Sequence, residues 1–253
     1  MTRYVTPLRE GGSLPAIVEA DDLGTYVLKF RGAGQGVKVL VAELIAGEIA
    51  RAIGLPMPEI VLAELDPRLG KSEADPEIQS LITASAGLNL AIDYLPGSLS
   101  FDPAAGRRPD AELASSIVWF DALITNIDRT VRNPNMLVWH KKLWLIDHGA
   151  SLYFHFGGQD WAARSGARFP EIKQHVLLRN ATALAEADER LSSLLTTDVI
   201  EGIVRVIPDD WLADPSFGGL EDPRAAYAAY LTERLRSPRA FAEEARDAHA
   251  QLV

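Results

Sequence analysis

The segment Asn126-Ile127-Asp128-Arg129-Thr130-Val131-Arg132-Asn133 gives the strongest indication of the fold, together with Ile146-Asp147-His148-Gly149 further along the chain. Between them lie two short apolar runs, Asn135–Trp139 and Leu143–Ile146, which flank His140-Lys141-Lys142. This pattern predicts two strands joined by a tight hairpin. An aspartate, an asparagine five residues later and a second aspartate at the end of the hairpin can therefore converge in space.

This order of polar groups is the one that a kinase-type phosphoryl-transfer site requires. In such a site, Asp128 positions and deprotonates the attacking hydroxyl, whereas Asn133 and Asp147 hold the magnesium ions that neutralise charge on the transferred phosphate. Taken singly, these residues are more often turn or cap residues, because Asn and Asp side chains bond to the local backbone. Taken together, they favour phosphoryl transfer, which then requires a phosphate-covering loop, a strand lysine and a helix glutamate earlier in the chain.

Lys29 ends a predicted strand, Thr25–Phe30, and is either an outward-facing edge charge or the lysine that contacts the nucleotide phosphates. The next helix, predicted over Val37–Ile53, offers Glu43 and Glu48 as its partner. Five residues at ~100° each separate these two side chains by about 140°, so only one of them can face the cleft. Glu43 shares its face with small residues that permit close approach to a sheet, and we predict that it pairs with Lys29.

Two glycine-rich loops compete for the phosphates. Gly11-Gly12-Ser13 lies between the first two predicted strands, Arg3–Leu8 and Ala16–Ala20, where a kinase-type hairpin folds over the nucleotide. Gly32-Ala33-Gly34-Gln35-Gly36 superficially resembles a dinucleotide loop, but its third glycine comes too early and three strands precede it. We therefore assign nucleotide binding to Gly11, Gly12 and Ser13, and expect the second loop to be a connector.

The order of predicted elements indicates an α+β fold with two lobes. Two further strands are predicted at Glu59–Leu65 and Leu88–Tyr94, and the character of the chain then changes. A loop, a helix capped by Asp110, the hairpin and a helical region from Glu171 follow, with a helix start at Ser237-Pro238. We expect a β-rich N-lobe over residues 1–95 and a larger, mainly helical C-lobe over residues 96–253.

Composition narrows the class of protein. Of 253 residues, 47% are hydrophobic and 24% charged, which is typical of a globular chain. The 25 basic and 35 acidic residues give a net charge of −10, without the basic footprint that would favour a nucleic acid as primary partner. There is no cysteine, no apolar run of the ~20 residues that span a bilayer and no secretory signal. These features favour the cytoplasm and give no indication of a membrane partner.

The ordered parts resemble the HipA-like kinases over roughly residues 1–160. They are Gly11-Gly12-Ser13, Lys29, Ala42–Pro58, Asn126–Asn133 and Ile146–Gly149. The resemblance implies a protein-kinase-like fold, ATP with Mg²⁺, Asp128 as catalytic base, Asn133 and Asp147 as metal ligands, and transfer of the γ-phosphate to a protein serine or threonine. It also places the segment between the lobes, Asp93, Tyr94 and Leu95, at the nucleotide.

Some positions depart from the protein-kinase pattern. Asn126 stands where ordinary kinases have the histidine of His-Arg-Asp, and His148 replaces the phenylalanine of Asp-Phe-Gly. No Ala-Pro-Glu anchor follows, so ordinary activation-loop phosphorylation is not expected. Longer toxin-type members carry an extra N-terminal subdomain that engages an antitoxin; we expect a short form here, for which a toxin role is not implied.

Three alternatives stay open at this point. A small-molecule phosphotransferase of the aminoglycoside or choline type would use the same fold, and a nucleotide-binding pseudokinase would have lost the lysine, the base or a metal ligand. A metal-dependent hydrolase using Asp128 and Asp147 would recruit more His and carboxylate ligands than the sequence offers. The sequence specifies neither the phosphate acceptor nor autophosphorylation nor the oligomeric state.

Overall fold

The computed structural model describes residues 1–8, 14–34, 36–106, 108–157 and 161–252, so the predicted loop Gly11, Gly12 and Ser13 lies outside the described residues. The strands are β1 (Arg3–Pro7), β2 (Ala16–Glu19), β3 (Thr25–Lys29), β4 (Ile60–Leu65), β5 (Gly87–Asp93), β6 (Leu99–Ser100), β7 (Met136–Trp139) and β8 (Lys142–Leu145). The α-helices are α1 (Val37–Ala52), α2 (Pro76–Ala84), α3 (Ala111–Leu123), α4 (Trp161–Ser165), α5 (Leu184–Leu194), α6 (Thr197–Arg205), α7 (Asp209–Leu212), α8 (Pro223–Arg234) and α9 (Ala240–Ala250).

The N-lobe is an antiparallel sheet in the order β1-β2-β3-β5-β4. One face of this sheet packs on α2, in a small core that includes Leu28, Leu65, Ile78 and Ile82. Because successive side chains of a strand point to opposite faces, burial of Leu28 in this core directs Lys29 to the other face, towards α1 and the C-lobe.

Helix α1 is buried around almost its whole circumference. It begins after Gly36 and ends before Gly54, two glycines with positive φ angles of 74° and 75°. Its apolar residues belong to one continuous core with the C-lobe, and it packs against α6 and α7. Trp211 of α7 also donates a hydrogen bond to the Leu88 carbonyl of β5, at 3.0 Å. The C-lobe therefore packs against the N-lobe at α1 and at β5.

In the C-lobe, α3 is the central helix and leads directly into the segment that carries Asp128. Asp110 caps its first turn by accepting a hydrogen bond from the Leu113 amide, at 2.8 Å, as the sequence predicts. Trp119 and Phe120 are fully buried. At the other end, the buried guanidinium of Arg234 bonds to the carbonyls of Ala122 and Leu123. Both ends of α3 are thus satisfied.

The predicted elements differ from the observed ones mainly at their ends, with three larger differences. Helix α2 was not predicted, although Asp75 caps it and Pro76 occupies its first position. The short strand β6 lies within a predicted loop. The predicted helix start at Ser237-Pro238 is wrong, because α9 begins at Ala240 after Arg239. No helix among the described residues is long and apolar enough to cross a membrane.

Candidate active site

Lys29 and Glu43 form an ion pair between β3 and α1. Lys29 Nζ lies 2.7 Å from Glu43 Oε2, and both side chains are buried. Glu48 instead pairs with Arg51 of the same helix, whose side chain is exposed. The two glutamates therefore occupy the separate faces of the helix that their spacing predicts.

The charges of this pair depend on each other. Burial alone would lower the pKa of Lys29, but Glu43 and Asp147 outweigh it and raise the pKa above its ordinary value. Burial alone would raise the pKa of Glu43, whereas the charge of Lys29 and a hydrogen bond from His148 lower it to about 2. The lysine is thus held as a cation at the cleft wall, in the state that attracts phosphate.

Asp147 forms a second ion pair with Lys29. Its Oδ1 is 2.6 Å from Lys29 Nζ, and half of its side chain is exposed to the cleft. The next backbone amide, that of His148, donates to Glu43 Oε2 at 2.9 Å. Gly149 is required by close packing, because a Cβ there would lie 2.6 Å from Val39 Cγ1 of α1. The stretch from Asp147 to Gly149 is therefore held directly against α1.

Asp128 is oriented by two asparagines. Its Oδ2 accepts hydrogen bonds from Asn133 Nδ2 at 2.7 Å and from Asn135 Nδ2 at 3.1 Å. Asn135 Nδ2 is also 3.5 Å from the Asp147 carbonyl, so it connects the two aspartate segments. The structure thus brings Asp128, Asn133 and Asp147 together, and Asn135 is a supporting residue that the sequence reasoning missed.

A buried polar cluster lies beneath Asp128. Asp121 of α3 accepts hydrogen bonds from Arg129 Nε at 2.5 Å, His175 Nε2 at 2.8 Å and Asn126 Nδ2 at 2.9 Å. The Leu177 amide donates to His175 Nδ1, so it is Nε2 that carries the ring proton. Although burial favours the neutral acid, the adjacent Arg129 charge holds the pKa of Asp121 well below its usual range. The cluster is therefore an ion pair with hydrogen-bonded neighbours.

Arg129 joins this cluster to the rest of the site. Its Nη1 bonds to the carbonyl of Asn135 and lies 3.4 Å from that of Ile146. The Asn135 carbonyl immediately precedes β7, and the Ile146 carbonyl immediately precedes Asp147. Arg129 and Asp121 were not predicted, because an arginine beside a catalytic aspartate and an aspartate in a helix carry no local sequence signal of burial.

Three residues of the site have strained backbone angles. Thr125, Asn135 and Asp147 have φ angles of 53°, 48° and 56°, in the left-handed region that residues other than glycine rarely occupy. Such conformations cost of order 1–3 kcal/mol each and persist where the surrounding contacts determine them. For Asn135 those contacts are its bonds to Asp128 and Arg129, and for Asp147 the contact is its bond to Lys29.

A cleft of about 930 Å³ opens between the lobes at these residues. Lys29, Asn133 and Asp147 line one part of it, and the predicted segment Asp93, Tyr94 and Leu95 lines another. The remaining wall is largely apolar and includes Val27, Ile92, Met136 and Ile146. An apolar wall with a few convergent polar groups is typical of a small-molecule site.

The polar end of the cleft has the chemistry of a magnesium–phosphate site. Asn133 uses its amide nitrogen on Asp128 and so leaves its amide oxygen for another partner. Among the described residues, no three His, Cys, Asp or Glu side chains gather as a metal-binding group. One carboxylate and one amide oxygen suit Mg²⁺, which takes its other ligands from substrate phosphates and water. The residues present therefore fit the metal that the kinase fold implies.

Fold and site together define a kinase-like phosphotransferase. The family model described as HipA-like kinase matches residues 2–222, and the chain belongs to that family. The predicted two-lobed α+β kinase-like fold and the predicted resemblance are both confirmed. No curated protein matches the chain in sequence.

Solved structures show the same fold. The chain is similar to a Helicobacter pylori proinflammatory kinase, CtkA, with 13% identity and a TM-score of 0.56 over 94% of each chain. It is also similar to the Golgi casein kinase with Mn/ADP bound, with 12% identity and a TM-score of 0.53 over 98% of this chain and 73% of that one. A further structure of the Golgi casein kinase has 13% identity and a TM-score of 0.52. At these identities the likeness establishes the fold alone.

The two glutamates of α1 provide a matched comparison. We expect Glu43→Gln to lower turnover by about 10–100-fold, because it removes the charge that positions Lys29. Glu48→Gln removes the same charge from a face of α1 that points away from Lys29, where Glu48 pairs with Arg51, and should change turnover less than about twofold. Steady-state phosphoryl transfer by both variants and by Lys29→Ala provides the measurement. A larger loss with Glu48→Gln would assign the roles the other way round.

Proposed function

We propose that this protein is an ATP- and Mg²⁺-dependent kinase that transfers the γ-phosphate to a serine or threonine hydroxyl of a protein. The observation that carries the proposal is that Lys29, Asn133 and Asp147 line the polar end of one cleft. Glu43 is bonded to Lys29 and Asp128 to Asn133 directly beside it. Family membership supports phosphoryl transfer in general. The nucleotide, the metal and the acceptor are the parts that we propose.

Each residue has a role that follows from its surroundings. Lys29, held as a cation by Glu43, binds the nucleotide phosphates. Asp128, whose carboxylate is held by two amide donors and partly exposed, accepts the proton of the acceptor hydroxyl. Asn133 and Asp147 would hold Mg²⁺, which when bound neutralises charge on the phosphates. Metal at Asp147 would also replace Lys29 as the counter-charge of that carboxylate and free the lysine for phosphate.

The nucleotide base is proposed to occupy the apolar part of the cleft. Asp93, Tyr94 and Leu95 line the cleft where β5 of the N-lobe ends. This position supports a boundary between an N-lobe of residues 1–95 and a C-lobe of residues 96–253. Gly11, Gly12 and Ser13 remain a proposed part of the nucleotide site.

Thermal unfolding tests the nucleotide and the metal together. A ligand that binds only the native state stabilises it by RT ln(1 + [L]/Kd), so ATP at ~100 Kd with Mg²⁺ should add roughly 2.7 kcal/mol. For a chain of this size, that corresponds to a rise in Tm of roughly 5–10 °C. The controls are ATP with EDTA, which should give a smaller rise, and NAD, which should give none. A flat response to millimolar Mg-ATP would count against the kinase, and a response to NAD would favour the second glycine loop.

The acceptor class needs a separate experiment. We expect labelled phosphate from ATP to appear on serine or threonine in a panel of proteins, or on the enzyme itself by mass spectrometry. Aminoglycosides and choline form the opposing panel, since the net charge of −10 could suit a cationic small molecule. Transfer confined to these compounds would support phosphotransferase activity but contradict the proposal of a protein acceptor.

A further inference from the structure

Lys38 lies in the first turn of α1 and reaches across to the C-lobe. Its Nζ donates a hydrogen bond of 2.6 Å to the backbone carbonyl of His155. His155 is itself fully buried, and its Nδ1 lies 2.7 Å from the hydroxyl of Tyr227, which is also buried. The carbonyl that receives Lys38 is therefore fixed by the interior of the C-lobe.

A second C-lobe segment contacts the same ammonium group. Lys38 Nζ lies 5.2 Å from the ring centroid of Phe217, within the range of a cation–π interaction. Phe217 is buried in the core that α1 shares with the C-lobe. Lys38 is thus bound by two segments that are far apart in sequence and that both contact Tyr227 of α8.

The consequence for catalysis follows from the position of Lys38 on the helix. Glu43 is five residues further along α1, about 7.5 Å away at 1.5 Å per residue. Both residues bind the same C-lobe segment, Glu43 at the His148 amide and Lys38 at the His155 carbonyl. The segment therefore holds α1 at two points and prevents the helix from rotating Glu43 away from Lys29.

We infer that Lys38 is a positioning residue that holds α1, and through it the Lys29–Glu43 pair, in the geometry for phosphoryl transfer. The inference rests on the proposed function. Protein kinases require this pair to be in place, and many control it through phosphorylation of the activation loop. Here the hydrogen bond from Lys38 to the His155 carbonyl holds α1 in place, and it requires no phosphorylation.

Lys38→Met tests the inference, since it keeps the apolar stem and removes the ammonium group. We expect kcat for phosphorylation of dephosphorylated casein, used as the acceptor probe, to fall by about 10–100-fold. The KM for casein should stay within about twofold, because Lys38 is not placed at the acceptor. Lys38→Arg should restore most of the activity, because a guanidinium can donate to the same carbonyl and stack on Phe217. Arg51→Met, which removes a cation from the other end of α1, should match the wild type.

Amide hydrogen exchange provides a second measurement, which does not depend on turnover. In Lys38→Met, the amides of α1 around Glu43 should exchange at least tenfold faster than in the wild type and in Arg51→Met. A folded Lys38→Met with wild-type kcat, or a loss that Lys38→Arg does not restore, would overturn the inference. If the wild type transfers phosphate neither to casein nor to itself nor to any acceptor of the protein and small-molecule panels, the proposed function fails and the exchange measurement still decides: unchanged exchange overturns the positioning role. Lys38→Gln, shorter and neutral, replaces the Met variant if that protein does not fold.

Discussion

Asp128→Asn is expected to reduce phosphoryl transfer by ~10²–10⁴-fold, the usual contribution of a general base. The substitution keeps the size of the side chain and an oxygen that can accept from Asn133 and Asn135. Lys29 and Asp147 are untouched, so the affinity for Mg-ATP should stay near its wild-type value. Single-turnover rates and calorimetric titration with Mg-ATP separate the two quantities.

Asp147→Asn is the matched variant for this experiment. It removes a charge from the proposed metal site and from Lys29, whose Nζ lies 2.6 Å from Asp147 Oδ1. Both Mg-dependent binding and rate should therefore fall, and higher Mg²⁺ should restore part of each. Equal loss of nucleotide affinity in the two variants would refute the division between base and metal ligand.

Asp121→Asn should have the largest effect on stability. Arg129 would be left as a buried cation without a carboxylate, a change that typically costs 3–5 kcal/mol. For a chain of this size, Tm should fall by roughly 6–20 °C. Arg129 also bonds to the Asn135 carbonyl near Asp128, so kcat should fall as well, even at a temperature at which the variant is fully folded.

Asp188→Asn separates these two effects. Asp188 is also buried, and it accepts hydrogen bonds from Trp119 Nε1 at 2.7 Å and from Arg239 at 2.7 and 3.0 Å. It lies on α5, in the C-lobe core rather than beside Asp128. We expect a smaller but measurable loss of Tm, because this ion pair is less completely buried, with unchanged kcat below the transition. If Asp121→Asn also left kcat unchanged, the cluster would support the fold without positioning the base.

Much of the architecture was predictable, because it depends on local patterns. The β-branched and aromatic content of β3 and the helical spacing of α1 predicted both elements to within a residue or two. The angular separation of Glu43 and Glu48 follows from helix geometry alone, and the structure places only Glu43 on Lys29. Helix α2 was missed although its cap was visible in Asp75 and Pro76, because it is only nine residues long and offers few apolar positions.

The residue types that could carry phosphoryl transfer, and their order, can be read from the sequence, because strand ends, helix faces and turns are set by neighbouring residues. The buried groups that hold these residues depend on the tertiary structure. Asp121 meets His175 across 54 positions and Lys38 meets His155 across 117. Such pairs depend on how whole elements pack, and an isolated aspartate or lysine looks the same in sequence whether its partner is water or a buried group on another helix.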